Sequence, residues 1–361
     1  MFNKFHRWII LGLLASLVLA ACGAAPAQSW PGLTASQESN TAYVAYSTHV
    51  YAVNTADGLK RWQFPADNDS KIGPFFSDPV LVGDTLLVSS YNKSAYALDA
   101  ATGTQKWVFA QSTDRLLASP AVYGDMVLIA SADNNLYALN LKDGSLKWTF
   151  ATQASLWGAA LGTADLVYVP SMDHNLYAVD AASGQQRWSV ELNGALAGTP
   201  VLDGKQLYVG TLNNTLYALR AADGKELWTV PADGWVWGSP TLDGATLYFG
   251  DLKGKVFSVD TASGNVNWTA QPDSAVRGAP AVIGDTLVVA SETGVVFGLS
   301  KSDGSVIWQK SLDDQNADRL LANPVVLNDK VLIAPLAAKY LIYALNASDG
   351  SVLWFFDPKA K

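Results

Sequence analysis

Side chains that could bind a metal or act as nucleophiles are few in this 361-residue chain. Of its three histidines only His49 and His174 follow the apolar N-terminal segment, and its one cysteine is Cys22. A zinc or copper site takes three or four ligands of these types. A serine hydrolase needs a nucleophile motif such as G-x-S-x-G, which neither histidine has as a partner. We therefore predict no metal site and no catalytic residue, with both histidines in solvated turns.

Two clusters of oxygen-bearing side chains, residues 67–69 and 133–135, could surround a calcium ion, which prefers carboxylate and carbonyl oxygens. Neither cluster has the glycine and distal glutamate of the full calcium-loop pattern. The prediction for both is a solvated turn.

The N-terminal residues have the layout of an export signal. Lys4 and Arg7 precede an apolar run over residues 8–21 that ends in small residues. This run of 14 residues is shorter than the roughly 20 that span a bilayer as a helix. A cleaved signal peptide is therefore preferred over a permanent transmembrane anchor.

Cys22 follows the tripeptide Leu-Ala-Ala and precedes Gly23. This arrangement resembles the bacterial lipoprotein signal, in which the cysteine is acylated and becomes the first mature residue. The alternative is an ordinary cleavage site with a stray cysteine nearby. The resemblance implies a lipoprotein signal peptide over residues 1–21, a lipid-anchored tether over residues 22–29 and a folded domain over residues 30–361. Such a protein is attached to the outer membrane on its periplasmic side, or to the outer face of the plasma membrane.

The mature chain would be acidic, with 22 basic and 32 acidic residues after loss of the signal. A surface of that sign repels nucleic-acid phosphates and anionic lipid headgroups. Nucleic-acid binding is therefore disfavoured. Membrane attachment must come from acyl chains, whose buried methylenes contribute about 0.8 kcal/mol each.

One pattern recurs eight times: an aromatic, a small and an aliphatic residue, then a polar turn ending in glycine, then a tryptophan four residues later. The copies begin at Tyr51, Tyr96, Tyr137, Tyr177, Tyr217, Phe257, Phe297 and Tyr343. The glycines are Gly58, Gly103, Gly144, Gly184, Gly224, Gly264, Gly304 and Gly350. The tryptophans are Trp62, Trp107, Trp148, Trp188, Trp228, Trp268, Trp308 and Trp354. Successive tryptophans lie 45, 41, 40, 40, 40, 40 and 46 residues apart, a period typical of repeated structural units.

Each unit contains four apolar stretches of strand length. In residues 119–150 these are residues 120–122, 127–129, 136–139 and 148–150. The Gly, Asp and Asn clusters between them are typical of hairpins, so each unit predicts a four-stranded antiparallel sheet. Such a sheet cannot bury both faces alone, and stacking the units in a ring buries them. The sequence predicts an all-β, eight-bladed β-propeller.

The first unit is less regular than the others. Residues 43–46, 50–53 and 62–64 supply three strands, and residues 30–33 are the candidate for the innermost one. We align Pro31 with the proline that opens the inner strand in later units, which requires a slightly longer turn. If this strand fails to form, the first blade has three strands.

The set of a small residue, a glycine six residues later and a tryptophan four residues after that resembles the tryptophan-docking motif of the PQQ-type propeller repeat. This repeat is found in quinoprotein dehydrogenases and in BamB-type outer-membrane assembly lipoproteins. Ser258 and Gly298 depart mildly from the small residue Ala. The resemblance implies that each indole stacks between its own blade's small residue and the next blade's glycine peptide. The eight tryptophans are therefore expected to be structural rather than ligand-binding.

A quinone enzyme of this family would need a PQQ pocket with a calcium-binding carboxylate and amide, a catalytic aspartate and, in many members, adjacent cysteines. The chain has no second cysteine, and no acidic pair stands out from the turn aspartates. We therefore predict a protein without cofactor or enzymatic activity. A PQQ-dependent dehydrogenase-like enzyme and a ligand- or carbohydrate-sensing propeller remain as alternatives.

The residue three before each inner-strand proline should approach the central axis, and here the repeats differ. These residues are Phe76, Leu117, Trp157, Ala197, Trp237, Arg277 and Leu321, with Ala160 replacing proline after Trp157. Phe76, Trp157, Trp237 and Arg277 form the candidate axial site for a ligand or partner. Arg277 could hold an anionic group through a forked hydrogen bond. The alternative is an arginine paired with a local carboxylate or solvated.

Extra residues at 67–76 and 313–320 account for the two long spacings. In a closed ring the blades they precede flank the first blade, so they predict a raised acidic patch as a candidate partner surface. The leading hypothesis is a monomeric, extracytoplasmic scaffold lipoprotein that engages envelope proteins through a propeller face or by adding a partner strand at a blade edge. A BamB-like role in outer-membrane or envelope protein assembly is what the resemblance implies.

Overall fold

The computed structural model describes residues 29–67, 69, 71–312, 319–336 and 339–359. The predicted signal peptide, Cys22 and residues 22–28 of the tether lie outside the described residues, as do residues 313–318 of the second insertion. The described part forms eight separate four-stranded sheets, each with its strands in chain order. The prediction of an all-β, eight-bladed propeller of antiparallel blades is confirmed.

The first blade comprises β1 (Gly32–Ser36), β2 (Thr41–Tyr46), β3 (His49–Asn54) and β4 (Lys60–Phe64). Blades two to four comprise β5 (Val80–Val82), β6 (Thr85–Ser89), β7 (Ala95–Asp99), β8 (Gln105–Phe109), β9 (Ala121–Tyr123), β10 (Met126–Ala130), β11 (Asn135–Asn140), β12 (Leu146–Ala151), β13 (Leu161–Gly162), β14 (Leu166–Pro170), β15 (Asn175–Asp180) and β16 (Gln186–Glu191). Blades five and six comprise β17 (Val201–Asp203), β18 (Gln206–Thr211), β19 (Thr215–Arg220), β20 (Glu226–Pro231), β21 (Thr241–Asp243), β22 (Thr246–Gly250), β23 (Val256–Asp260) and β24 (Val266–Ala270). Blades seven and eight comprise β25 (Ala281–Ile283), β26 (Thr286–Ala290), β27 (Val295–Ser300), β28 (Val306–Ser311), β29 (Val325–Leu327), β30 (Lys330–Ile333), β31 (Ile342–Asn346) and β32 (Val352–Phe356). Within the described residues no helix is long and apolar enough to span a bilayer.

The two middle strands of each blade are buried on both faces because blades pack against them from either side. In β10 all five residues are buried, and Leu128 packs toward the fourth blade while Val127 packs toward the second. A near-continuous apolar strand is expected wherever both faces of a sheet are covered. The core is therefore a series of apolar layers between blades.

The propeller has two unlike faces. The turns between second and third strands, and the connections that lead into each inner strand, lie on one face, which we call the axial face. The hairpins between first and second strands and the glycine turns between third and fourth strands lie on the other, which we call the turn face. The fourth strand of each blade forms its outer edge.

The eight tryptophans occupy the same place in every blade. Ala138 pairs across the sheet with Trp148, and a β-bulge follows. The Trp148 ring lies on the next blade's turn, so close that a Cβ atom on Gly184 would stand 2.7 Å from it. Trp148 Nε1 donates to the Ala181 carbonyl oxygen at 3.0 Å. All eight indoles lie against the next blade's glycine in this way.

Within residues 29–359, as far as they are described, the first blade is built from four consecutive strands and no strand is exchanged between the first and eighth blades, so side-chain packing closes the ring. Trp354 of the eighth blade lies on Gly58 of the first, and its Nε1 donates to the Thr55 carbonyl oxygen at 2.9 Å. Leu33 and Leu332 belong to one buried cluster across this seam. The last indole thus makes the same contact as the others.

The first blade is complete, because β1 pairs with β2 along five residues. The alignment of Pro31 with the inner-strand prolines is wrong. Thr34 pairs with Tyr43, as Thr241 pairs with Tyr248 in the sixth blade, so Leu33 stands at the proline position. The β1–β2 hairpin has two more turn residues than the hairpins of the later blades. The proline position therefore lies two residues further from Tyr43 than in those blades, which places it at Leu33 rather than at Pro31.

Candidate functional site

The axial residues predicted from the sequence come together around the central channel. Phe76, Leu117, Trp157, Ala197, Trp237, Arg277 and Leu321 all line it. The sheet register adds Trp30 as the eighth member, one from each blade. Sequence reasoning missed Trp30 because it aligned Pro31 with the wrong position. In the later blades this residue lies 11 positions before the equivalent of Tyr43, as Trp237 does before Tyr248, but that spacing gives Gly32 in the first blade because its hairpin is longer. The sheet register is therefore what identifies Trp30.

Aromatic rings meet across this channel. The Trp30 ring lies 5.9 Å from Phe76 and 6.4 Å from Trp237, centroid to centroid, both edge-on. Trp157 lies 6.0 Å from Trp237. Rings at these separations and angles attract one another, and this attraction adds to the stabilisation that comes from burying their surface. The axial side chains therefore pack on each other and narrow the channel.

Arg277 is held inside this ring rather than presented to solvent. Its guanidinium carbon lies 4.5 Å from the Trp237 ring centroid and 5.8 Å from that of Trp30. Its Nε and one terminal nitrogen each lie 2.9 Å from Oε1 of Glu292, whose Oε2 accepts from Arg319 at 2.6 Å. Burial of Glu292 opposes its charge, but hydrogen bonds from Arg319 and Arg277 outweigh burial and lower the pKa of Glu292. Of the alternatives left open for Arg277, the structure contains the ion pair.

The space left in the channel is small. The cavity lined by the axial ring has a volume of about 160 Å³. Pockets that hold drug-sized ligands and cofactors usually have about 300–1,000 Å³. The residues present do not fit the quinone cofactor of the dehydrogenases that share this repeat. A short row of water molecules fits, at about 30 Å³ each.

The Asp78 carboxylate, next to the axial ring, joins three blades. Asp78 of the second blade accepts from the Leu33 amide of the first blade and from Nδ2 of Asn323 of the eighth, each at 3.0 Å. Gly32 makes room for this bridge, since a Cβ atom there would lie 2.0 Å from the Ser77 carbonyl oxygen. Burial raises the pKa of Asp78 to about 6, although both hydrogen bonds oppose the rise. Asp78 thus ties the seam between the ends of the ring.

The aspartates with a calcium-loop pattern have protein partners. Asp133 Oδ2 accepts from the Thr113 amide at 2.7 Å and from the Tyr137 hydroxyl at 2.8 Å, while Oδ1 accepts from the Asn135 amide. Asp133 lies in the predicted turn and is partly exposed, and its carboxylate ties this turn to the connection that precedes it. Of residues 67–69, Asn68 lies outside the described residues. Across the described ranges no group of three or more His, Cys, Asp or Glu side chains could hold a metal ion.

His174 lies in the predicted turn, with a positive φ of 74°. His49, by contrast, is the first residue of β3 and stacks on Tyr51, with ring centroids 5.7 Å apart. Its predicted place in a turn is wrong, because the first blade's turn between second and third strands contains only Ser47 and Thr48. Burial, and to a lesser degree Lys60, lowers the pKa of His49.

The acidic surface predicted from the two insertions is only partly described. In the first, the Lys71 amide binds Asp69, and the Lys71 carbonyl oxygen accepts from Asn92 Nδ2 in a turn of the second blade. Ile72 is buried beside them. This insertion therefore packs onto its own blade on the axial face. It also contacts the first blade, since the Phe75 amide donates to the Ser47 carbonyl oxygen at 2.8 Å. Six of the eight residues of the second lie outside the described residues, so the joint patch stays a prediction.

The outer edges divide the ring into two halves, which the sequence reasoning did not notice. The residue just before each tryptophan is exposed on the outer strand. It is a cation in blades one to four and uncharged in blades five to eight: Arg61, Lys106, Lys147, Arg187, Leu227, Asn267, Ile307 and Leu353. Comparing this position across the repeats would have revealed the difference.

The exposed apolar side chains are densest on the last two edges. Val306 and Ile307 on β28 are 55% and 52% exposed, and Leu353 and Phe355 on β32 are 45% and 48% exposed. The cations of the other half have partners on the turn face, such as Lys147 with Asp125 at 2.9 Å. Blades seven and eight thus present neighbouring apolar edges without a charge at this position.

Comparison with known proteins agrees with the architecture. A family model described as outer membrane protein assembly factor BamB matches residues 23–174 and 172–354. The crystal structure of BamB from Moraxella catarrhalis has a TM-score of 0.69 at 20% identity, covering 90% of this chain and 98% of that one. The computationally designed Ika8 protein has a TM-score of 0.74 at 14% identity, covering 91% and 97%. No curated protein matches the chain.

Likeness to solved structures at such low identity shows the propeller fold alone. The family match is different in kind, since it spans both halves of the repeat array. It confirms the resemblance to PQQ-like, BamB-type repeats. The chain therefore belongs to the family of the outer membrane protein assembly factor BamB.

Proposed function

We propose that this protein is a non-catalytic scaffold lipoprotein of the cell envelope, which holds other envelope proteins during outer-membrane or envelope protein assembly. Membership of the BamB family supports the assembly role. An acyl group on Cys22 would attach it to the outer membrane on the periplasmic side, or to the outer face of the plasma membrane. The single observation that carries the scaffold role is the outer edge of blades seven and eight, where exposed apolar side chains replace the cation before the tryptophan.

An outer strand has backbone N–H and C=O groups with no neighbour on one side, and an extended peptide can pair with them. Lysine and arginine on such edges oppose pairing, and blades one to four carry them. On β28 and β32, Ile307 and Leu353 stand in their place, and Phe355 adds apolar contact. The partner is therefore an extended, apolar-patterned segment of a neighbouring envelope protein.

The test is recovery of partners from native membranes with the full lipidated protein. We expect the wild type to recover outer-membrane or envelope assembly proteins, and Ile307→Lys combined with Leu353→Lys to lose them. The matched control adds two lysines to edges that already carry cations, as Thr149→Lys with Ser189→Lys, and should recover partners like the wild type. Recovery of no envelope protein by the wild type would contradict the scaffold role. Equal recovery by the two double variants would contradict the proposal that partners bind at the outer edges of blades seven and eight.

The proposal that the protein is not an enzyme has its own test. Because the axial cavity of about 160 Å³ is too small for a quinone, titration with PQQ and calcium should leave the cofactor's absorbance spectrum unchanged. A stoichiometric spectral shift would instead support the dehydrogenase alternative.

A further inference from the structure

We infer that the propeller sits with its axial face toward a phospholipid surface and its turn face away from it. This orientation rests on the acylation of Cys22 proposed above. The partner it names is the membrane itself, and the blade edges then point sideways, parallel to that surface.

The chain enters the ring on the axial face and is fixed there. Ser29 is fully buried, and its Oγ accepts a hydrogen bond from the Ser47 amide in the first blade's turn on that face. Trp30 follows it into the axial ring, where it packs against Phe76 and Trp237. Any pull from the acylated end is therefore applied near the centre of the axial face.

The tether is too short to let the turn face reach the membrane. Cys22 lies seven residues before Ser29, so even a fully extended chain spans at most about 25 Å between them. A path to the turn face crosses three strand spacings of the first blade, about 15 Å, and then runs about 20 Å along a six-residue strand. The required distance of about 35 Å exceeds the reach of the tether.

The same face carries half-exposed aromatic side chains of the types that favour a lipid interface. Trp235, in the connection to the sixth blade, is 49% exposed, and Tyr91, in a turn of the second blade, is 37% exposed. Tyr91 continues the axial ring outward, since its ring centroid lies 5.2 Å from that of Phe76. These side chains lie on different sides of the ring, so both reach a flat surface only when the face is parallel to it.

The orientation can be measured by energy transfer on vesicles of equal parts phosphatidylethanolamine and phosphatidylglycerol that carry a headgroup acceptor dye. Acylation leaves Cys22 without a free thiol, so a single introduced cysteine takes the donor dye. Three exposed sites report position: Lys253→Cys on the axial face of the sixth blade, Lys205→Cys on the turn face, and Leu353→Cys on the outer edge of the eighth blade.

We expect the donor at 253 to lose most of its fluorescence, the donor at 353 to lose less, and the donor at 205 to keep most of it. Strongest transfer at 353 would indicate an edge-on protein, and strongest or equal transfer at 205 would likewise overturn the orientation. The Cys22→Ser variant separates the two proposals. If it binds vesicles as the acylated protein does, the lipid anchor fails, whatever the orientation.

Discussion

Two neighbouring positions on each outer strand follow opposite rules. The tryptophan is the same in all eight blades and points into the layer between blades, as Trp308 does. The residue before it, Ile307 in the same strand, points outward and changes from a cation to an uncharged side chain halfway around the ring. The positions that are the same in every repeat build the propeller, and the exposed positions that differ between repeats are available to bind a partner. This contrast makes separate predictions for stability and for binding.

The largest expected effect comes from removing one indole. Trp308→Ala should lower the free energy of unfolding by about 3–5 kcal/mol, because it leaves a cavity in the buried layer between blades seven and eight and removes the hydrogen bond to the Ala347 carbonyl oxygen. Ile307→Ala, one residue away and 52% exposed, should change it by less than about 0.5 kcal/mol. Urea unfolding followed by tryptophan fluorescence measures both. Similar losses in the two variants would remove the basis of the contrast.

The glycine that faces each indole can be compared with a glycine that faces solvent. Gly144 and Gly124 both have positive φ, 71° and 58°, so alanine at either costs about 1–2 kcal/mol. At Gly144 the added methyl would also stand 2.6 Å from the Trp107 ring, whereas nothing lies within 4 Å at Gly124. Gly144→Ala should therefore lower the thermal midpoint well below that of Gly124→Ala. Equal midpoints would show that the indole contact adds nothing.

The closing seam adds a pH dependence of its own. Because the pKa of Asp78 is about 6 in the folded protein and lower in the unfolded chain, the folded state binds this proton more tightly. Its contribution to stability is complete below the unfolded pKa and is lost as the pH rises through about 6. Wild type should therefore gain up to about 3 kcal/mol relative to Asp78→Asn between about pH 7 and pH 4. Parallel pH profiles for the two proteins would exclude this role.

The smallest effect separates the indoles by their hydrogen bonds. Trp188 Nε1 has no acceptor among the described residues, whereas Trp308 Nε1 donates to a carbonyl oxygen at 2.9 Å. Phenylalanine keeps most of the ring and loses the donor. Trp308→Phe should thus cost about 1 kcal/mol more than Trp188→Phe in urea unfolding. The reverse order would show that ring size alone decides the loss.

The features that are common to all repeats could be predicted from the sequence. Eight blades, their four strands and the tryptophan positions follow from one spacing, because every copy has the same neighbours. The first blade's inner strand was misaligned, since its unusual hairpin shifts Leu33, rather than Pro31, to the proline position. The pairing of Arg277 with Glu292 could not be read from the sequence, because the turn that carries Glu292 reaches the axis only once the blade has folded.

Hydrogen–deuterium exchange on the protein bound to its recovered partner tests most directly whether recognition belongs to the positions that do not repeat. The account predicts slower exchange of the amides along β28 and β32 in the complex, with β8 and β12 unchanged. Slower exchange in β8 and β12, or no change in any outer strand, would contradict it.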